Sequence, residues 1–112
     1  MNGLKEAQLV RLNLVFPPTL EDAVTDALMA DPVLPGFTLL HAEGHTGDFA
    51  RASIREKVRG RVDRRVIWVL IEYEQLEQVL AHLRQRIASS DVRWWVESVL
   101  AKLTLCKLLA TN

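Results

Sequence analysis

Two hydrophobic periods alternate along the chain. Residues 9–16, LVRLNLVF, repeat at two, with Val10, Leu12, Leu14 and Phe16 on one face and Leu9 and Val15 making the other partly apolar. Pro17-Pro18 ends this strand, because proline cannot donate to a sheet ladder. Thr19 is a suitable N-cap for a helix whose buried stripe reads Leu20, Ala23, Val24, Ala27 and Leu28, with Asp22 near its positive end. Asp31-Pro32 stops it, Pro35-Gly36 turns the chain, and 37–43, FTLLHAE, read as a second strand. The pattern dissolves between Gly44 and Arg61 apart from a short helical option over 49–58, so this segment is expected to be a long loop. Strand character returns over 62–73, where Val66, Trp68 and Leu70 alternate with Ile67, Val69 and Ile71. A second helix over 74–88 carries the stripe Leu76, Val79, Leu80, Leu83 and Ile87. After the turn at Ser89-Ser90-Asp91, 92–100 read as a fourth strand with Trp94 and Trp95 on opposite faces. The tail, 101–112, suits either an edge strand or a short helix.

The order β-α-β-β-α-β predicts an α+β ferredoxin-like sandwich: a four-stranded antiparallel sheet, both helices on one face, and a long loop between strands two and three. The other sheet face ought to be polar where it meets water. Here strand three is apolar on both faces, and a naked apolar face of that size would aggregate. A second copy of the chain is the expected cover, with the C-terminal tail as the alternative.

With 112 residues, 12.7 kDa, 49% hydrophobic and 25% charged, the chain is expected to be one domain spanning 1–112, which excludes disordered and low-complexity classes. One cysteine, Cys106, excludes an internal disulfide, and its apolar setting predicts a buried small hydrophobe. Neither a signal peptide nor a membrane span is evident, so a cytoplasmic protein without direct membrane insertion is expected. The formal net charge is zero, but it is unevenly spread: residues 51–65 hold seven basic and two acidic residues, a local +5, against −5 over 1–50.

That basic stretch, with Arg51, Arg55, Lys57, Arg59, Arg61, Arg64 and Arg65, suits an anion or an acidic protein surface, since arginine forks match carboxylates and phosphates. Nucleic acid is not expected, because aromatics are not interleaved and the chain is neutral. His41 and His45, with Glu43 and Asp48 nearby, could hold a transition metal if the chain turns at Gly44. The competing reading places His41 at a subunit contact and His45 in solvent. Trp68, Trp94 and Trp95 read as core or interface anchors, and His82 as exposed beside Arg86. No nucleophile elbow or metalloprotease helix is present, so an enzyme is not expected.

Residues 36–88 carry a resemblance. Gly36-Phe37-Thr38 opens a strand, Gly44 and His45 follow, and a long basic loop runs to Arg64-Arg65 before VIWVLIEY and EQLEQVLAHL. This arrangement resembles the PII signal-transduction superfamily, and within it the small proteobacterial PII-like proteins associated with heavy-metal efflux operons. The resemblance implies trimers with inward-facing sheets, a projecting loop that engages partners, and ligand sites in clefts between subunits. The phosphate loop T-G-x-x-G-D-G-K of PII proteins is replaced here by Ser89-Ser90-Asp91-Val92-Arg93, whose backbone cannot cradle a triphosphate in the same way. Conventional ATP binding is therefore not expected, and the cofactor is unknown. Gly44 fits the first glycine of the loop base, while Thr46 stands at the second, with Gly47 one residue late. The loop holds no tyrosine, which excludes uridylylation at the usual residue.

These readings converge on a PII-like homotrimeric regulatory or binding protein. It would engage a protein partner, a membrane transporter among the candidates, or a small anionic effector. The residues expected to meet a ligand are Gly44, His45, Arg59, Arg61 and Arg64. The alternatives are a metal-binding accessory or sensor protein of an efflux system using His41 and His45, and a small ferredoxin-like enzyme working in the inter-subunit cleft. The loop, about 44–61, is expected to be mobile when free.

Overall fold

The structure, a computed structural model, describes residues 8–45 and 61–106. The expectations for the loop beyond His45, with Asp48, Arg51, Arg55, Lys57 and Arg59, and for the end of the tail, lie outside the described residues. The elements follow in the order β1 (Leu9–Phe16), α1 (Glu21–Met29), β2 (Thr38–Gly44), β3 (Val62–Glu72), α2 (Leu76–Arg86) and β4 (Arg93–Val99). They build one four-stranded sheet of order β2-β3-β1-β4, with every neighbouring pair antiparallel. This is the α+β split arrangement that the element order requires.

β1 is central because it is apolar enough to be paired and covered at once. Leu12 stands opposite Val69 on one side and Val96 on the other, and Leu14 opposite Ile67 and Trp94. Alternation sends Val10, Leu12, Leu14 and Phe16 towards the helices, where they pack with Ile67, Val69, Ile71, Val24, Ala27, Leu28, Val79 and Leu83. Most of these are fully buried, and at roughly 1.5–3 kcal/mol for each large side chain this layer is the main stabiliser of the fold.

Both α1 and α2 are entered through 3₁₀ turns, Pro18–Leu20 and Tyr73–Gln75. This moves the first helix start beyond Thr19. Pro18 presets the turn and the Leu20 amide donates to the Pro17 carbonyl at 3.0 Å, so Thr19 is already inside it and makes no side-chain cap. Glu21 and Asp22 still lie in the first turn of α1, where the helix dipole favours them. The buried stripe of α1 is narrower than the sequence suggested. Val24, Ala27 and Leu28 are buried, while Ala23, one step of about 100° away from Val24, is exposed. Asp31 ends the helix with its own carboxylate, whose Oδ1 accepts the Val33 amide at 2.9 Å. Gly36 then turns the chain into β2 at φ 146°, a conformation side chains disfavour.

Two further expectations are corrected. His82 is half-buried, and its Nε2 lies 2.8 Å from the Ala27 carbonyl, a bond between α2 and the last turn of α1. Its position three residues after Val79 puts it on the edge of the buried stripe. Cys106 is exposed, because the chain has already left the sheet: 101–104 have no regular structure and 105–106 are helical. Among the described residues no helix is long and apolar enough to cross a membrane.

Candidate functional site

Two regions of the sheet carry chemistry. The first is the base of the β2–β3 hairpin. Gly44 faces Val62 in the last rung of the ladder, and a Cβ on Gly44 would lie 3.3 Å from Val62 Cγ2 and 3.5 Å from Arg64 Cγ. A side chain at Gly44 would press on Val62 and oblige it to give by a few tenths of an ångström.

The sequence-predicted residues gather here but divide between the sheet's two faces. Arg64 stands opposite Ala42 on the face away from the helices; its Nη1 donates to the Asp63 carbonyl at 2.9 Å. It has no carboxylate partner among the described residues. Arg61 donates through Nη1 to Glu43 Oε2 at 3.2 Å in an exposed ion pair. Arg65 is structural: on the helix side, its Nε donates to Glu21 Oε1 at 2.7 Å and ties β3 to the first turn of α1. His41 stands opposite Arg65 on the exposed edge strand, Glu43 shares its face, and His45 follows the strand end in solvent. β2 runs through Gly44 without a turn, so the His41 and His45 Cα atoms are spaced by about 13 Å at a strand's rise of about 3.3 Å per residue. Among the described residues no three His, Cys, Asp or Glu side chains cluster to hold a metal.

At the same end of the sheet, just before β4, lies the turn at Ser89-Ser90-Asp91. There the Asp91 amide donates to the Ser89 hydroxyl at 3.1 Å, so the turn spends that donor on itself.

The second region is the sheet face that neither helix covers. It presents Leu9, Val15, Leu40, Val66, Trp68, Leu70, Trp95 and Val99, with Trp68 and Trp95 38% and 48% exposed. Residues 101–106 therefore do not shield it. The expected apolar second face is real, and Trp94 and Trp95 do diverge: Trp94 faces the helix layer opposite Leu14, Trp95 the open face opposite Asn13.

In the middle of this face sits a polar array that sequence reasoning missed. Arg11 stands opposite Glu97 and donates to its Oε1 at 2.9 Å. The same oxygen accepts from Asn13 Nδ2 at 2.8 Å and from Trp95 Nε1 at 3.3 Å. Asn13 also reaches the Arg11 and Trp95 carbonyls, and is 1% exposed. The Arg11 guanidinium lies 4.5 Å from the centre of the Trp68 ring, a cation–π stack. The Arg11 hydrogen bond, then that from Asn13, holds the Glu97 carboxyl below its ordinary value despite an opposing desolvation effect. A sequence signal did exist: Arg11 and Asn13 interrupt an apolar strand at a spacing of two, which puts both on one face. Its partner Glu97 could not be named without the β1–β4 register.

An open groove of about 920 Å³ runs from this array past Leu70 to Phe37 and Lys102, at the end of the sheet away from the hairpin base. A smaller, apolar one of about 480 Å³ lies between α2 and β4 under Trp94.

Comparison with known proteins places this architecture. A DUF3240 family protein from Shewanella baltica OS155 is 18% identical, with a TM-score of 0.69 over 87% of this chain and 96% of that one. CPII from Thiomonas intermedia K12, a nitrogen regulatory PII-like protein bound to ADP, AMP and bicarbonate, is 14% identical, with a TM-score of 0.63 over 88% and 97%. Arabidopsis thaliana PII bound to citrate is 13% identical, with a TM-score of 0.65 over 90% and 83%. No curated protein matches the chain at a significant level. The fold is thus that of the PII-like proteins, and because the family model for DUF3240, proteins of unknown function, matches residues 6–105, the chain belongs to that family.

Proposed function

We propose that this chain is a PII-like regulatory or binding subunit that works as a homotrimer and docks an anionic group at the base of its β2–β3 hairpin. The anion belongs either to a small effector or to an acidic segment of a partner protein. The observation that carries this reading is the division of labour among the arginines. Arg65 is engaged by Glu21 and Arg61 by Glu43, whereas Arg64 has no carboxylate among the described residues, beside the glycine-closed end of the ladder. A guanidinium in that position binds carboxylates and phosphates in a bidentate fork. The sequence between β2 and β3 also holds Arg51, Arg55, Lys57 and Arg59, so this stretch of chain carries a positive excess that favours an anionic ligand. The two solved PII-like neighbours support the class of ligand, since one is bound to ADP, AMP and bicarbonate and the other to citrate. A triphosphate cradle like that of PII proteins is not part of the proposal, because the turn at 89–91 lacks glycines and consumes an amide of its own.

The test is a thermal-shift and calorimetric titration with nucleoside mono- and diphosphates, bicarbonate and citrate, run on the wild-type protein and on Arg64→Ala. Binding of at least one of these anions, weakened tenfold or more by Arg64→Ala, is expected. An anion that binds equally well to both proteins, or no binding by any of them, overturns the small-effector form of the proposal. Light scattering reports the assembly independently: a trimer of about 38 kDa is expected from a 12.7 kDa chain.

A further inference from the structure

The polar array in the middle of the open face has no role in the hairpin-base site. It costs the sheet something, since a charged pair and an amide stand where apolar side chains would pack more simply. What covers this face has to satisfy three demands together. It must bury Trp68 and Trp95, which are 38% and 48% exposed. It must offer an acceptor to the guanidinium of Arg11. It must also offer a donor to Glu97, whose described bonds all fall on Oε1 and whose side chain is 47% exposed. A wholly apolar cover would strand the Glu97 carboxylate away from water. A partner of one charge sign would satisfy one member of the pair and repel the other. A second copy of the same face presents one guanidinium, one carboxylate and two tryptophans, and so meets all three demands.

We infer that Arg11 and Glu97 form a self-complementary polar key, through which the open faces of neighbouring copies recognise one another and settle into a single register. This rests on the homo-oligomeric reading above and adds to it the residues that set the contact. An apolar face alone lets two copies slide, because apolar attraction is non-directional. A charged pair flanked by tryptophans penalises every register in which Arg11 does not meet a neighbour's carboxylate. Such a lone polar feature in an apolar interface fixes alignment in other assemblies at some cost in stability.

The experiment uses the full chain, two charge-reversing variants, Arg11→Glu and Glu97→Arg, and the double variant that carries both substitutions. Circular dichroism first establishes that each is folded, and light scattering then gives its assembly state. Each variant alone brings like charges together across the contact and is expected to lose the oligomer. The double variant restores opposite charges at every contact of a ring of three, so its oligomer is expected to return, read by light scattering and native mass spectrometry. If the wild type oligomerises and both single variants do so unchanged, or if the double variant restores nothing, the key is refuted while the oligomer stands. If the wild type is monomeric at micromolar concentration, the oligomeric reading fails and takes the key with it. Should either reversal unfold the chain, Arg11→Gln and Glu97→Gln replace them. A tenfold or greater rise in the dissociation midpoint of each then supports the key, and unchanged midpoints overturn it.

Discussion

The two faces of one sheet, built from alternate residues of the same strands, are put to different uses. On the helix-covered face Leu12, Leu14, Phe16, Ile67 and Val69 are at most 1% exposed and belong to one hydrophobic cluster. On the other face, residues one position along have comparable hydrophobicity but are half-exposed, and an arginine, an asparagine and a glutamate are set among them. Hydrophobicity is therefore not what separates core from surface in this chain. The helices make the separation by covering one face, and the open face carries the information that a folding core does not need.

The sharpest way to break this comparison is to place the same charge at two adjacent residues. Ile67 is fully buried against the helices, so Ile67→Glu strands an unpaired charge at a cost of roughly 3–5 kcal/mol. That is enough to unfold a marginal domain. Trp68→Glu, on the open face, is expected to leave the circular dichroism spectrum intact and to yield a folded monomer. Loss of folding in both variants would erase the distinction.

A second contrast follows in that monomeric Trp68→Glu background. Leu12→Ala is expected to lower stability by roughly 2–5 kcal/mol in urea unfolding, because it opens a cavity in the packed layer. Val15→Ala, half-buried on the open face, is expected to cost less than about 1 kcal/mol. Equal costs would mean that the open face is packed within the monomer after all.

The arginines of the hairpin base divide in the same manner. Arg65→Ala breaks the partly buried bond to Glu21 and is expected to cost about 1 kcal/mol. Arg64→Ala is expected to change stability by no more than about 0.5 kcal/mol, its effect appearing in anion binding instead.

The smallest effect concerns acid. Glu97 has a depressed pKa in the folded protein, so its contribution is present above the ordinary carboxylate range and is lost as pH falls through its folded value. Melting temperatures of wild type and Glu97→Gln should differ at neutral pH and converge under acid. A difference that persists at low pH would show that the substitution acts through something other than ionisation.

The strands and helices were legible because periods of two and 3.6 leave marks on any sequence with one buried face. Leu9–Phe16 was readable to the residue, and the order of elements sufficed to name the sheet. Local exceptions were harder. Thr19 has the chemistry of a cap, but the two prolines before it start a 3₁₀ turn that only backbone geometry reveals. His82 looked like a surface residue because its acceptor, the Ala27 carbonyl, lies 55 positions away. The candidate sites divide along the same line. Arg61, Arg64 and Gly44 could be picked out from a local charge run and a glycine, whereas the array joining Arg11 and Asn13 to Glu97 spans more than eighty residues and depends on register. A single sequence records its neighbours along the chain far better than those across a sheet.

The position of β1 has a consequence for how the chain comes to be folded. β1 is the first strand to be synthesised, yet it lies between β3 and β4, so one of its two edges waits for Val99 to reach Leu9. Until then a nascent chain exposes a strand edge beside an apolar surface, the state most prone to pairing with the wrong neighbour. Contacts this distant in sequence also slow the search for the native sheet. In hydrogen exchange the order is expected to reverse: the amides of β1, last to be fully paired, will be the last to be released.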